Sequence, residues 1–289
     1  MGIVLGANQY GKAESRVVRI YRDTARHEIR DLNVSSAIRG DFTDAHVTGD
    51  QAQVLPTDTQ KNTAFAFAKE YGVRSPEEYA VALGRRLLEA TPAATGVLVN
   101  VEEFAWDRVA IGQHEHDHTF VRRGGEVRTV EVDVTTDGVR IVSGLSDLVV
   151  LKSTGSEFKG FLRDEYTTLP DADDRILATS LTARWRHVHD TVAQVEEVDW
   201  DEQHRVARAL LLQAYAETYS RALQETLYSM GRLLLERIPT IAEVSFAAPN
   251  KHHFQVDLAP FGLDNPGEVF IAADRPYGLI EATVTREAE

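Results

Sequence analysis

"GRRLLEATPAATGVLVNVEE", residues 84–103, and "GRLLLERIPTIAEVSFAAPN", residues 231–250, align without a gap. Gly, Arg, Leu, Leu, Glu, Pro and Val recur in register, 147 residues apart in a chain of 289. An offset of about half the chain marks a duplication, and a repeat constrains the architecture before any single element does.

The flanks extend the repeat. In the first half, Val18 and Ile20, then Leu32 and Val34, alternate with polar residues as two strands would. A helix is expected from Asp58 to about Tyr71, stopped by Gly72, and Thr57-x-x-Gln60 has the spacing of a capping box. The next helix has Ser75 as N-cap, Pro76 at its first position and Glu78 as box partner. Tyr79, Leu83 and Leu87 share one of its faces. A strand through Val97, Val99 and Val101 follows, then a hairpin turning at Gly124-Gly125 with Val130, Val132 and Val134 on its return. The second half reads as a strand over 177–189, helices over 201–220 and 222–238, strands over 242–248 and 252–258, and a short strand or turn near 278–284. Each half is thus strand, strand, helix, helix, strand, strand. The expected fold class is α+β: two tandem ββααββ units, 1–145 and 146–289, each an antiparallel sheet with helices on one face. The second includes a long connection, 151–177. Open sheet edges predict pairing between copies of the chain.

Composition narrows the function. Hydrophobic residues make up 43% of the chain, ample for a core, and the formal net charge is −14. That charge repels phosphate backbones, so nucleic acid is not an expected partner. A small anion is compatible with it, since a few placed cations reverse the field locally. There is no cysteine, which excludes disulfides, thiolate metal sites and Cys nucleophiles. No apolar run approaches the ~18 residues of a membrane span. "MGIVLGANQYGK" lacks the features of a signal peptide, and "TREAE" lacks the Ser-Lys-Leu peroxisomal address. The expectation is a soluble cytoplasmic protein with no membrane partner.

Several constellations could carry chemistry. In "HEHDH", His114, His116 and His118 would point to one side of a strand and could face a metal, as in a metal-dependent dioxygenase; the plainer reading is an exposed polar strand. Lys12 of "YGK" is ordinarily a solvated lysine, and a lysine base needs burial or positive neighbours. In "NKHHF", Asn250 and His252 are two apart on what reads as one strand, an amide and an imidazole able to hold and protonate a small polar molecule. The 153–177 connection carries Phe158 and Phe161, and Arg175 stands beside Asp173 and Asp174, which suggests surface salt bridges. The helix start at Thr57-Asp58 offers either a cap or an anion site.

Taken together, "YGK" (10–12), "LPTDTQKNT" (55–63), "DLVVLKSTGSEFKGFLRDEYTTL" (147–169), "DRILAT" (174–179) and "NKHHF" (250–254) resemble the urate oxidase (uricase) family, in the right order along nearly the whole chain. The resemblance implies the tunnelling fold (T-fold), with two ββααββ units per chain and a homotetramer with active sites at subunit interfaces. It implies oxidation of urate by O₂ to 5-hydroxyisourate and hydrogen peroxide, with neither metal nor organic cofactor. By the same resemblance Lys12 is the catalytic base, Thr57 relays its proton, and Asp58 offers its backbone N–H to the purine. Phe158 stacks under urate, Arg175 and Gln224 grip its other edge, and Leu223 and Ile280 line the pocket. Asn250 holds O₂ or peroxide, and His252 assists proton transfer. Leu223 stands where the family commonly has valine, and Lys159 where a bulkier ring is frequent. A T-fold purine- or pterin-binding protein without oxidase activity is the competing reading.

Overall fold

A computed structural model of the chain describes residues 2–273 and 275–287. Two compact units emerge, one running to Gly144 and including Arg186–His204, the other comprising Leu145–Trp185 and the chain from Arg205 onward.

The first unit contains β1 (Tyr10–Tyr21), β2 (Glu28–Gly40), a five-residue α1 (Thr43–Val47), α2 (Thr57–Glu70), α3 (Pro76–Glu89), β3 (Ala94–Glu103), β4 (Trp106–Ile111), β5 (His114–Arg122) and β6 (Val127–Thr135). β7 (Val139–Lys152) and β8 (Leu177–His187) contribute to both units. Then come α4 (Val192–Glu196), α5 (Trp200–Glu217), α6 (Leu223–Arg237), β9 (Ile241–Pro249), β10 (His252–Gln255), β11 (Phe270–Ala273) and β12 (Leu279–Thr285). Strand order is β1-β2-β3-β6-β7 in the first unit and β7-β8-β9-β12 in the second. The β1–β2, β2–β3, β3–β6 and β9–β12 pairs are antiparallel.

The duplicated stretch holds its register in three dimensions. α3 starts at Pro76 and α6 at Leu223, β3 at Ala94 and β9 at Ile241, each pair 147 residues apart. The repeated glycine has a packing reason. A Cβ on Gly84 would lie 2.7 Å from Val134 Cγ2 on β6, and one on Gly231 would lie 2.5 Å from Val284 Cγ2 on β12. In both units the second long helix therefore packs its glycine directly on the sheet. Tyr79, Leu83 and Leu87 join Val97, Val99, Val101, Val130, Val132 and Val134 in one core; Leu227, Met230 and Leu234 join Val244 and Phe246 in the other.

Three sequence expectations need correction. The turn at Gly124-Gly125 does not close a hairpin: β5 pairs with β4, and β6 pairs with β3. β4–β5 is a two-stranded excursion from the main sheet, anchored by the Trp106 indole N–H to the Asp31 carboxylate (3.0 Å) and by Phe104 between the guanidinium groups of Arg16 and Arg122 (4.4 and 4.1 Å). Likewise 252–258 is not a main-sheet strand. β10 pairs with β11 as a second excursion, and β12 is the strand that lines up with β9 over its whole length. Finally, Thr57 is not an N-cap. That position belongs to Pro56, which has no side chain to cap with, and Gln60 is spent elsewhere.

Candidate active site

Two groups of the proposed residues assemble, one in each unit. In the first, Lys12 sits on β1 opposite Ser36 of β2, next to a bulge where Glu14 adopts φ 56°. Gly11 is required there, because a Cβ would overlap the Ser36 carbonyl. α2 begins with Thr57 and Asp58, and the Tyr10 hydroxyl accepts the Leu55 N–H at 2.9 Å just before it. Lys12 lies close enough to help hold the Asp58 carboxyl below its usual range, although Lys61, hydrogen-bonded to that carboxylate, is the main cause. Among the described residues, the side chains of Lys12 and Thr57 have no hydrogen-bond partner.

The second group is tied together by backbone. Glu157 N–H donates to Ser220 C=O at 2.8 Å, and Ser220 N–H to Gly155 C=O at 3.0 Å, bringing the long connection against the start of α6. Phe158 and Ala172 exchange N–H···O bonds at 2.8 and 2.9 Å, and Arg175 N–H reaches Ser156 C=O at 2.7 Å. Phe158 thereby lies beside Arg175, whose guanidinium carbon is 4.9 Å from its ring centroid. Phe161 stacks on Phe158 at 4.9 Å, so the two rings that looked out of place in a linker have each other. Asn250 bridges Thr179 of β8 and donates its N–H to Gly278 C=O at 2.8 Å, while Lys251 N–H reaches Ala178 C=O at 2.8 Å. The chain changes sheets at that point. Asn250 and His252 therefore lie on different sheets, not on one strand, and the His252 ring stacks on Phe254 at 5.7 Å. Leu223 is buried in the second core, and half-buried Ile280 packs against it.

The expected salt bridges of Arg175 do not form. Lys159 takes Asp173 at 2.8 Å, and Asp174 accepts from the Thr154 hydroxyl (2.6 Å) and from the N–H groups of Gly155 (3.0 Å) and Ser156 (3.3 Å). Those bonds, Thr154 foremost, hold the Asp174 carboxyl below its usual range. Arg175 is left half-buried with Nε lacking a partner, and burial pushes its pKa down from the ordinary value. The side-chain amides of Gln224 and Asn250 are also unengaged among the described residues.

The helix starts tell the same story. The Ser75 hydroxyl caps α3 at the N–H of Glu78 (3.1 Å), though the reciprocal half of that box is missing, and the Asp199 carboxylate accepts from Glu202 N–H (3.0 Å) at the start of α5. α2 and α6, which carry Thr57-Asp58 and Leu223-Gln224, have no side-chain cap. Ala222 stands at the repeat position of Ser75, so one copy of the duplicated helix start is closed and the other is open. Open first-turn N–H groups and the positive end of the helix dipole favour an anion or a carbonyl-rich ligand.

These features span the length over which the chain matches the uricase family, residues 8–133 and 141–281. The chain belongs to the uricase family. It is 54% identical to the uricase of Arthrobacter globiformis over 99% of this chain and 91% of that protein. It is 36% identical to the uricase of Emericella nidulans, over 99% of this chain and 98% of that one. The crystal structure of the Arthrobacter globiformis uricase superposes with a TM-score of 0.93 at 53% identity, covering 100% of this chain and 97% of that one. Membership in the uricase family carries urate oxidation as the enzyme's activity, and the fold found is the α+β arrangement expected from the repeat and the T-fold implied by the family resemblance.

The histidine stretch has a different character from the site. His116 and His118 meet edge to face at 4.4 Å on β5, and Glu115 and Asp117 pair with Arg26. No group of three or more His, Asp or Glu side chains among the described residues is arranged to hold a metal ion. No described helix is long and apolar enough to cross a membrane. Sequence reading gave no site role to Tyr10, Gly11, Gln60, Asp174 or Ser220, whose close packing or hydrogen bonds hold the backbone beside the proposed residues. Their one signal was position: Tyr10, Gly11, Gln60 and Asp174 lie inside "YGK", "TDTQKNT" and "DRIL", and Ser220 lies just before "LQETLY".

Proposed function

We propose that the chain oxidises urate with O₂ and water to 5-hydroxyisourate and hydrogen peroxide, without metal or organic cofactor. O₂ takes two electrons and two protons to become peroxide, and water supplies the oxygen added to the purine. The observation that carries the reading is Arg175, a half-buried cation with no carboxylate partner, held at the ring of Phe158 beside the uncapped start of α6. Urate is planar, anionic near neutral pH and lined with N–H and C=O groups. A guanidinium fork donates two parallel bonds to one of its edges, with Gln224 alongside, while Phe158 stacks on its face. Thr57 and the Asp58 N–H take the opposite edge. Lys12, unpaired on β1, serves as proton acceptor through Thr57, Asn250 holds O₂ or peroxide, His252 assists proton transfer, and Leu223 and Ile280 bound the pocket.

In this reading the chain carries two T-fold repeats, 1–145 and 146–289. The chain assembles as a homotetramer with each site completed across a subunit interface. The test is direct: dialysed protein with EDTA is given urate in air, and near-ultraviolet absorbance and peroxide are followed. Loss of urate with matching peroxide is expected; metal-free protein that leaves urate untouched would overturn the cofactor-free reading.

A further inference from the structure

We propose that Gln60 is a positioning residue for the Lys12–Thr57 pair, an inference that rests on the roles given to those two residues above. Gln60 has the spacing of a capping-box partner yet does not cap. Its side chain is 1% exposed and turned inward. Its Oε1 accepts the Ser36 hydroxyl at 2.9 Å, and its Nε2 donates to the Leu55 carbonyl at 3.4 Å. Ser36 is the direct cross-strand partner of Lys12. Directly opposed residues of an antiparallel pair project to the same face, so Lys12 and Ser36 both emerge on the side where α2 lies. One buried amide thus links the strand position facing the lysine to the residue two before Thr57.

The Tyr10 hydroxyl, two residues before Lys12, takes the N–H of that same Leu55 at 2.9 Å. Leu55 is therefore held through both backbone groups, its carbonyl by Gln60 and its N–H by Tyr10. Pro56 offers this helix start neither a backbone N–H nor a capping side chain, so beyond the packing of Val54 and Leu55 and the ordinary Gln60 N–H to Pro56 carbonyl bond (3.1 Å), these two bonds are what tie it to β1 and β2. Proton transfer between a lysine and a threonine requires hydrogen-bond reach, and a misplacement of about 1 Å costs on the order of 10²-fold in rate. Gln60 supplies that placement while remaining out of contact with solvent.

The test uses the full-length assembled enzyme with Gln60→Leu, Gln60→Glu and Ser36→Ala. Sites are counted by titration with xanthine, a purine lacking the C8 oxygen of urate, and urate turnover is expressed per xanthine-binding site. Gln60→Leu is expected to lower kcat per site about tenfold or more, with a smaller rise in KM because Thr57 and Asp58 also contact urate in this reading. Gln60→Glu, which keeps an acceptor for the Ser36 hydroxyl, should recover part of that loss. A merely structural role would instead reduce the number of binding sites and leave turnover per site intact. Wild-type turnover per site in Gln60→Leu, or no recovery in Gln60→Glu, overturns the proposal. If Gln60→Leu binds no xanthine, Ser36→Ala decides, because it cuts only one bond: a several-fold drop in kcat per site is expected, and none refutes it. Lys12→Met run alongside separates the two levels, since its full activity would sink the underlying reading and not this inference alone.

Discussion

Arg175 and Lys12 form no ion pair among the described residues of this acidic chain, and their substitutions should fail in different ways. Lys12→Met is expected to cut kcat by ~10²-fold or more while xanthine still binds, the usual size of a general-base loss. Arg175→Ala should instead weaken xanthine binding, by roughly 2–5 kcal/mol for a charged, partly desolvated hydrogen-bond donor. Calorimetric titration of both variants checks this, and equal effects on binding would contradict the assigned roles. His187 offers a separate test of stability. It is buried, its Nε2 meets the Ser143 hydroxyl at 3.0 Å, and its Nδ1 has no partner. Burial, aided by His189 and Arg128, lowers its pKa to about 3. Between that value and the ordinary 6.5 the unfolded chain binds a proton that the folded chain refuses, so this group's contribution to stability falls as pH falls, by about 1.4 kcal/mol per unit. His187→Gln should therefore show a flatter loss of melting temperature than wild type between pH 6.5 and 4.5; parallel curves would disprove the assignment. The site residues were legible only through short motifs shared with a family. Nothing in the spacing of Asp173, Asp174 and Arg175 says that both carboxylates are already engaged, because their partners come from residues 154–159.

Elements were legible where periodicity is long and illegible where it is short. The face Tyr79, Leu83, Leu87 identified α3, and all three are fully buried. β10 and β11 have four residues each, too few for alternation to distinguish a main-sheet strand from an excursion, and the choice depends on a partner far along the chain. The capping-box misreading has a similar cause. Threonine at the first helical turn with glutamine three residues on fits a box, but proline already holds the N-cap position and Ser36 competes for the amide. The repeated glycines are the most informative element-level feature, since their reason is contact with the sheet. Gly231→Ala gains about 1 kcal/mol of helix propensity but drives a methyl against Val284 and to 3.2 Å from Phe246. Overpacking of that kind costs about 1–3 kcal/mol, so net destabilisation is expected in denaturant melts. Val284→Ala in the same chain should recover part of it, and Gly84→Ala with Val134→Ala should behave alike. Strict additivity in either pair would show that the contact does not limit the helix.

At the scale of the whole molecule, the proposed contacts divide by unit. Lys12, Thr57 and Asp58 belong to the first; Phe158, Arg175, Leu223, Gln224, Asn250, His252 and Ile280 belong to the second. Each set is open: α2 and α6 begin without caps, and β1 and β12 end their strand orders. In the proposed assembly each uncapped helix start and free sheet edge is half of a binding site, completed by pairing with a second copy. In the proposed assembly a two-fold axis relates two chains, so each interface holds two sites, each taking its lysine from one chain and its arginine from the other. Lys12→Met and Arg175→Ala, prepared separately and each nearly inactive, can then repair one another. When the two variants are unfolded and refolded together, a mixed interface carries one site with both lesions and one with neither. Random pairing leaves roughly a quarter of all sites intact, so activity should return to about that fraction of wild type. Had each site been built within one chain, every site would keep one lesion and mixing would restore nothing. Native mass spectrometry of differently tagged chains establishes that mixed assemblies have formed, and inactivity in that population would refute the shared site.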